Sequence, residues 1–464
     1  MTGAREIAYL SLERCEKQKK YSNLEIDVQV QKYKLTGAEK GLYVSLVYGT
    51  LERMITLDFI ISALSSRPLE KLDRAVIIPL RLGLYQMIFM DKIPPNAAVD
   101  ESVKLANKYA NKTSGGFVNA ILRNFLRAVA GEDIKNISAI FLHEPFKKKY
   151  SALGKYAKLS VIYSYPEWLC RKFADAYSID TAEKIMSAQN ESTSTTFRVN
   201  TLKTSRDEIL EKLGEFGESV HKTRFSEYGI TLDGVAVSAL SELNEKGELF
   251  VQDEASQLAA LALGAAPGET VIDCCACPGG KSFASAIQME NRGRIVSSDL
   301  HESKLSLING GAKRLGISII ETNAADSSVY DKELAASLGN GADRVLCDVP
   351  CSGLGVIAKK PEIRYKSKAD IEKLPAVQMK ILKNCAEYTA PGGVLVYSTC
   401  TLNPDENEKN VTAFLAENDA FEPCEFEFVS SDGEKIASKN GMMTLFPHIY
   451  NTDGFFIAKM KRKI

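Results

Sequence analysis

The sequence predicts an α/β protein in three parts: an all-α front end, a small α+β unit, and a larger domain on a doubly wound parallel sheet. Three observations carry that prediction. Over roughly the first 130 positions, apolar residues recur at helical spacing without the alternation of a half-buried strand. Short alternating runs begin only near Thr196, and from about residue 253 apolar runs alternate with helical segments. The 464 residues fill three domains at roughly 150 residues each.

Within residues 1–130, Ile7, Leu10 and Ser11 begin a helical pattern, and Leu42–Thr50 is apolar around most of its circumference, as in a core helix. Pro68 suits a helix start, and Leu80, Leu82, Leu84, Met87 and Ile88 continue the spacing. Pro94-Pro95 interrupts the chain, Ala97–Tyr109 resumes it, and Asn119–Arg127 closes the part with an apolar stripe. Residues 131–160 read as a linker with a basic spot at Lys147-Lys148-Lys149. Residues 161–252 form the α+β unit, with a helical stretch from Tyr165 to about Gln189, strands at Thr196–Asn200, Gly229–Leu232 and Gly247–Gln252, and a helix at Ser205–Leu213.

The last part, 253–464, offers parallel strands at Thr270–Cys274, Arg294–Ser298, Ile317–Thr322, Asp343–Cys347 and Gly393–Ser398. Each leads into a loop carrying an acid or a cysteine. Pro404-Asp405-Glu406-Asn407 opens a helix, and Glu425–Val429 with Gly454–Met460 suggests an antiparallel edge hairpin.

Composition narrows the class. Hydrophobic residues at 45 % and charged residues at 25 % exclude a disordered, collagenous or disulfide-scaffold chain. No apolar run of about 18 residues occurs, and Met1-Thr2-Gly3-Ala4-Arg5-Glu6 does not open a signal peptide. Eight of the ten cysteines fall between Cys274 and Cys424, which suits a reduced, cytoplasmic enzyme with no membrane partner. Residues 1–170 carry 25 Lys plus Arg against 17 Asp plus Glu, and residues 171–464 carry 33 against 42. A basic front end is the footprint of a nucleic-acid-binding module, or more simply a solvated helical surface.

The chemistry concentrates at the ends of the predicted parallel strands, where ligands of doubly wound sheets sit. Asp273-Cys274-Cys275-Ala276-Cys277-Pro278-Gly279-Gly280-Lys281-Ser282 places small residues between a strand and a helix N-terminus. A phosphate-binding loop needs Gly where Cys275 stands, and a dinucleotide fingerprint is absent. Cys274-x-x-Cys277 lacks the histidines that would complete a zinc site, so no metal is expected. Asp299 is placed for ribose hydroxyls or for capping a helix, and Asp326 for an adenine amino group or for capping a turn. Ribose and adenine contacts without a phosphate loop point to S-adenosylmethionine.

Asp348-Val349-Pro350-Cys351 and Ser398-Thr399-Cys400 would bring two thiols to one cleft. A thiol has a reason to be there if the substrate is cytosine, whose C5 is a poor nucleophile. Thiolate addition at C6 makes C5 reactive, and a carboxyl, Asp348, would meet the charge pushed toward N3. Spacing alone leaves open which cysteine attacks.

With these residues assembled, the sequence resembles the Sun-type RNA cytosine-5 methyltransferases, most closely the RsmB-like branch acting on small-subunit (16S) ribosomal RNA. The resemblance runs over nearly the whole chain and also includes Arg198-Val199-Asn200, Gln252-Asp253-Glu254-Ala255-Ser256, Lys360-Pro361-Glu362-Ile363-Arg364-Tyr365 and Asp453-Gly454-Phe455-Phe456. It implies a Rossmann-like methyltransferase domain behind a NusB-like RNA-binding domain. It also implies that Cys400 is the nucleophile and that Cys351 assists release. Cofactor contacts would come from Cys275, Ala276, Cys277, Pro278, Gly279, Gly280, Lys281, Asp299, Asp326 and Asp348. RNA contacts would come from Arg198, Asn200, Lys359, Lys360 and Arg364, on an unstacked cytosine in a loop or bulge. Apart from the resemblance, a monomer is the expectation, and the sequence does not fix the oligomeric state. Cys274 and Cys277 depart from the family pattern, which mostly has an aliphatic residue and Ala there. The rival readings are a P-loop ATPase acting on RNA and a non-catalytic RNA-binding or antitermination factor.

Overall fold

A computed structural model describes residues 3–18, 22–191, 194–234 and 237–464. The chain divides into two compact units: Met1–Asn190 with Lys359–Lys366, and Glu191–Ala358 with Ser367–Ile464.

The described residues of the first unit are helical, with no strand among them. Its long helices start where short polar side chains satisfy free backbone N–H groups. Asp73 accepts from the Ala75 N–H at the head of Arg74–Phe89, and Asn111 accepts from Ser114 N–H at the head of Lys112–Ala128. Pro95 begins the helix Pro95–Tyr109, where its missing donor costs nothing. The stripe Val118, Ile121, Leu122 and Phe125 is buried, while Arg123 bonds Asn119 on the other face. The expected linker at 131–160 is instead packed structure. It carries the short helices Ile137–Ile140 and Phe146–Ser151 and the start of Lys155–Tyr163, and Ile140, Phe141 and Phe146 are fully buried in the core around Leu80, Leu84 and Leu122. Burial of each such side chain contributes about 1.5–3 kcal/mol, but helices of four to six residues leave too little periodicity to read.

In the second unit, a small antiparallel sheet has the order β2-β3-β1-β4, from β1 (Thr195–Val199), β2 (Val220–Lys222), β3 (Gly229–Leu232) and β4 (Leu249–Val251). Phe197 and Val199 alternate onto one face with Ile230, Leu232 and Leu249, and pack with Ile209 of the helix Arg206–Lys212. Ser205 and Glu208 close that helix's start with a reciprocal capping box.

The large sheet contains β5 (Thr270–Asp273), β6 (Arg294–Asp299), β7 (Ile320–Ala324), β8 (Ala342–Asp348) and β9 (Thr389–Thr399), all parallel. Its order is β10-β14-β9-β8-β5-β6-β7, with β10 (Phe421–Pro423), β13 (Met442–Leu445) and β14 (Phe455–Arg462) antiparallel additions. The strand order reverses at β5, which lies between β6 and β8. Doubly wound sheets open their ligand crevice at such a reversal.

The expected edge hairpin does not form. β11 (Glu427–Val429) pairs with β12 (Lys435–Ala437) in a separate two-stranded sheet, while β14 pairs with β9, β10 and β13. The reason lies in burial. β14 places Phe456, Ala458 and Met460 in one core layer and Phe455 and Ile457 in the other, the signature of an interior strand. β11 buries only Phe428.

Candidate active site

β5 delivers Asp273, buried, into the crevice, where its carboxylate accepts from Ser282 Oγ at 2.6 Å. Ser297 Oγ on β6 lies 2.8 Å from the same hydroxyl. Burial pushes Asp273 up to about 7. The loop that follows holds a cis Cys277–Pro278 bond and turns at Gly279 with φ +107°. A Cβ on Gly279 would sit 2.4 Å from the Phe283 ring, so no other residue fits this close helix entry. The helix Gly280–Gln288 thus presents its first N–H groups at the end of β5.

Asp299 ends β6 and accepts from His301 N–H at 2.9 Å, with the Lys304 ammonium 3.7 Å away. Asp326 follows β7 and accepts from the hydroxyl (2.7 Å) and N–H (2.9 Å) of Ser328, which hold its carboxyl below the usual range. Both acids therefore make local bonds two residues on, and Asp299 does not cap the helix Glu302–Leu315, whose N-cap residue is His301.

Cys274 does not line the loop. It lies in the core with Cys347 and Cys385, and hydrogen bonding to Cys385 together with burial raises its thiol well above the ordinary value. Among the described residues no group of three or more His, Cys, Asp or Glu is placed to hold a metal ion.

Parallel pairing of β8 with β9 sets Asp348 opposite Ser398. Ser398 Oγ donates to Asp348 Oδ1 at 2.6 Å, and Lys281 Nζ binds Asp348 Oδ2 at 2.7 Å. Lys281 also lies 5.2 Å from the centroid of the Phe455 ring. Burial opposes its charge, but Asp348 beside it holds the ammonium above its ordinary value. With its lysine spent on a carboxylate, the Gly-Lys-Ser tail is not arranged as a phosphate cradle.

Past that pair, the two strand ends bring Cys351 and Cys400 together, sulfur to sulfur at 3.3 Å. The hydrogen bond from the Cys351 thiol lowers the pKa of Cys400, against burial and the Asp348 charge and with help from Lys281. The same bond raises Cys351, which has no cation among its main influences. One thiolate is favoured in the pair, and the hydrogen bond from Cys351 places it on Cys400.

A buried polar network fixes the two cysteines. Glu406 accepts from Ser352 N–H (2.8 Å), Gln378 Nε2 (2.8 Å) and Asn403 Nδ2 (2.7 Å). Asn407 donates to Thr401 O at 2.8 Å and accepts from Thr399 Oγ1 at 2.6 Å, while Ser352 and Thr401 hydroxyls meet at 2.7 Å. Gly355 N–H donates to Cys400 O at 3.0 Å, and Gly454 N–H to Gly355 O at 2.9 Å. A Cβ on Gly355 would fall 1.7 Å from Gly454 O, so the two backbones cross where no side chain fits. The sequence reading assigned no role to Glu406 or Gln378. The available signal was a glutamine on the apolar face of the helix Leu374–Tyr388.

Three of the five expected RNA contacts are buried. Arg198 is fully buried with its guanidinium 4.5 Å from the Tyr228 ring centroid. Asn200 is buried and donates to Gly247 O and Leu315 O, both at 2.9 Å. Arg364 is buried in the first unit, 4.4 Å from the Tyr165 ring centroid, donating to Glu52 O (2.8 Å), Ser164 O (3.1 Å) and Asn190 Oδ1 (3.1 Å). Asn200 and Arg364 donate to protein acceptors, whereas the three guanidinium nitrogens of Arg198 have no hydrogen-bond partner among the described residues. Lys360 is exposed and Lys359 half-buried.

Comparison with known proteins agrees with this arrangement. Residues 260–461 match the model of the 16S rRNA methyltransferase RsmB/F family, residues 2–127 that of the NusB family, and residues 165–238 that of the RsmF/B-like ferredoxin-like domain. The chain is 36 % identical over 466 residues to a probable ribosomal RNA small subunit methyltransferase B of Bacillus subtilis, covering 100 % of this chain and 99 % of that one. A protein of the same description from Synechocystis is 34 % identical, with 100 % of both chains covered. The crystal structure of PH0851 has the same fold, with a TM-score of 0.76 at 24 % identity over 100 % of this chain and 99 % of that one. A methyltransferase homolog protein from Pyrococcus horikoshii matches with a TM-score of 0.56 at 27 % identity, over 67 % of this chain and 100 % of its own. Identity of this size along the full length, on a fold with these strand-end residues, establishes that the chain belongs to the ribosomal RNA small subunit methyltransferase B family.

Proposed function

We propose that the protein methylates C5 of a cytosine in small-subunit (16S) ribosomal RNA, using S-adenosylmethionine and a covalent bond between Cys400 Sγ and C6 of the base. The observation that carries this reading is the 3.3 Å approach of Cys351 and Cys400 beside the Asp348–Lys281 pair. The residues of the crevice fit the cofactor: a strand-to-helix loop that tolerates only Gly at 279 offers backbone N–H groups, and carboxylates stand at the ends of β6 and β7. Residues 275–281 with Asp299 and Asp326 would hold it, and when bound it supplies an electrophilic methyl group.

The chain's own residues do the rest. Cys400 Sγ, the favoured thiolate, forms the bond to C6, and the C5=C6 electron pair moves into the ring. Lys281, an ammonium held by Asp348 Oδ2, supplies the N–H that meets the charge arriving at N3. C5 then takes the methyl group. Once Cys400 is bound to C6 and no longer accepts from Cys351, the Cys351 thiol releases its proton to water, and the resulting thiolate accepts the C5 proton. The pair left at C5 restores the double bond, the C6–S bond breaks to return the Cys400 thiolate, and the proton at N3 goes back to its donor. A cytosine reaches two thiols in a crevice only when unstacked, so a loop or bulge is the expected target.

Two substitutions test the assignment by denaturing electrophoresis of the protein with its RNA. Cys351→Ala should accumulate a covalent adduct, and Cys400→Ala should form none. The reverse pattern exchanges the roles, and bisulfite mapping of the RNA would locate the modified base.

A further inference from the structure

Cys351 and Cys400 meet at 3.3 Å and are both half-buried, so a small solute reaches them. Their backbones are held by bonds that do not involve the thiols. Ser352 N–H donates to Glu406 at 2.8 Å, the Ser352 and Thr401 hydroxyls meet at 2.7 Å, and Gly355 N–H donates to Cys400 O at 3.0 Å. A disulfide needs its sulfurs about 2.05 Å apart, so closing this 3.3 Å contact takes little more than about 1 Å of side-chain movement.

Other cysteines lack one condition or another. Cys274, Cys347 and Cys385 share a core cluster, but they are buried and their thiols are raised, so they are neither reached nor ionised. Cys275 and Cys277 are half-buried, and burial raises both. Cys400 combines a lowered thiol, access for small solutes and a second thiol in contact. Those are the properties of a cysteine that oxidises first beside a partner that resolves it.

We infer that Cys351 and Cys400 form a reversible disulfide when a hydroperoxide reaches the crevice in the absence of RNA, and that this bond switches methyl transfer off. The Cys400 thiolate attacks one oxygen of hydrogen peroxide. An S–O bond forms, the O–O bond breaks, and the hydroxide released takes a proton from solvent. Cys351 Sγ then attacks the sulfur of the resulting sulfenic acid. The S–S bond forms, the S–O bond breaks, and the hydroxyl leaves as water with the Cys351 proton. Two electrons pass from the thiol pair to the peroxide, and a dithiol reductant returns both thiols by exchange. The bond engages nucleophile and release group together, and it holds Cys400 short of sulfinic acid, which thiols do not reverse. The inference rests on the reading of Cys400 as the reactive thiolate.

In the test, the reduced full chain is exposed to hydrogen peroxide, quenched with an alkylating agent and digested without reductant. Mass spectrometry should find the peptides of Cys351 and Cys400 joined, lighter by two hydrogens than the separate thiols. Incorporation of labelled methyl groups into 16S RNA should fall in proportion to the joined fraction, and dithiothreitol should restore it. In Cys351→Ala the same treatment should carry Cys400 to sulfinic acid, which dithiothreitol leaves in place. Peptides joined elsewhere with this pair reduced overturn the inference, as does Cys400 taken to sulfinic acid while Cys351 stays a free thiol. A joined pair with undiminished methyl transfer overturns the switch together with the reading of Cys400. A pair that resists peroxide while Cys400→Ala abolishes transfer removes the switch alone.

Discussion

Cys274, Cys347 and Cys385 meet in the core against the helix Leu374–Tyr388, while Cys351 and Cys400 meet just beyond the ends of β8 and β9. Both groups are thiols in hydrogen-bonding contact with other thiols, yet their acidities diverge. Burial pushes Cys347 up to about 11 and Cys385 well above the ordinary value, whereas Cys400 is lowered. Proximity of sulfur to sulfur therefore does not make a nucleophile. The difference is which influence leads: at Cys400 the hydrogen bond from Cys351 outweighs burial, with Lys281 adding a cation, whereas burial leads at Cys347 and Cys385 and no cation is among the main influences on the core trio.

The strongest way to break this contrast is at the sulfur itself. Cys400→Ala should abolish methyl transfer, a loss of at least about a thousandfold if covalent addition is obligatory, measured as incorporation of labelled methyl groups. Removing the cation comes next. Lys281→Met should cost about 10- to 100-fold at neutral pH. Because Lys281 lowers the Cys400 pKa, its loss raises that pKa, so part of the deficit should return as pH rises toward 9; a parallel pH–rate profile would separate acidity from positioning. A flat profile would remove Lys281 from the account of Cys400.

What the sequence showed and what it hid follow the same physical line. Apolar strands ending in an acid or a cysteine are visible one residue at a time, and parallel pairing then places Asp348, Cys351 and Cys400 together. The burial of Arg198 and Arg364 depends on Tyr228 in one case and on Glu52, Ser164, Tyr165 and Asn190 in the other, partners whose approach only the folded chain decides. A sequence displays the charge of an arginine and not its cover. The place of β14 was hidden likewise, since it pairs with β9 across intervening elements and not with the nearest short strand.

Smaller effects sharpen the comparison. Asp273 has its pKa raised from 3.8 to about 7 by burial, so the folded state holds a proton that the unfolded chain has released. Its contribution to stability is full below about pH 4 and is lost as pH rises through 7. Asp273→Asn, which keeps an acceptor for Ser282, should therefore raise the melting temperature more at pH 8 than at pH 5, by the equivalent of about 1–3 kcal/mol. Equal shifts at the two pH values would contradict the raised value. Least of all, Cys385→Ala should cost about 1 kcal/mol in denaturant unfolding while methyl transfer persists. A catalytic defect there would erase the distinction between the two thiol groups.

The place of β14 beside β9 has a consequence for how the enzyme is made. Synthesis runs from the N-terminus, so β9, which carries Thr399 up to the nucleophile, emerges well before Phe455–Arg462. Until that later stretch leaves the ribosome, one flank of β9 lacks its neighbour and its backbone groups stay open to other strands. Maturation of the reactive thiol is therefore deferred until β14 has been made, and a nascent chain halted before Phe455 would be both inert and prone to clump.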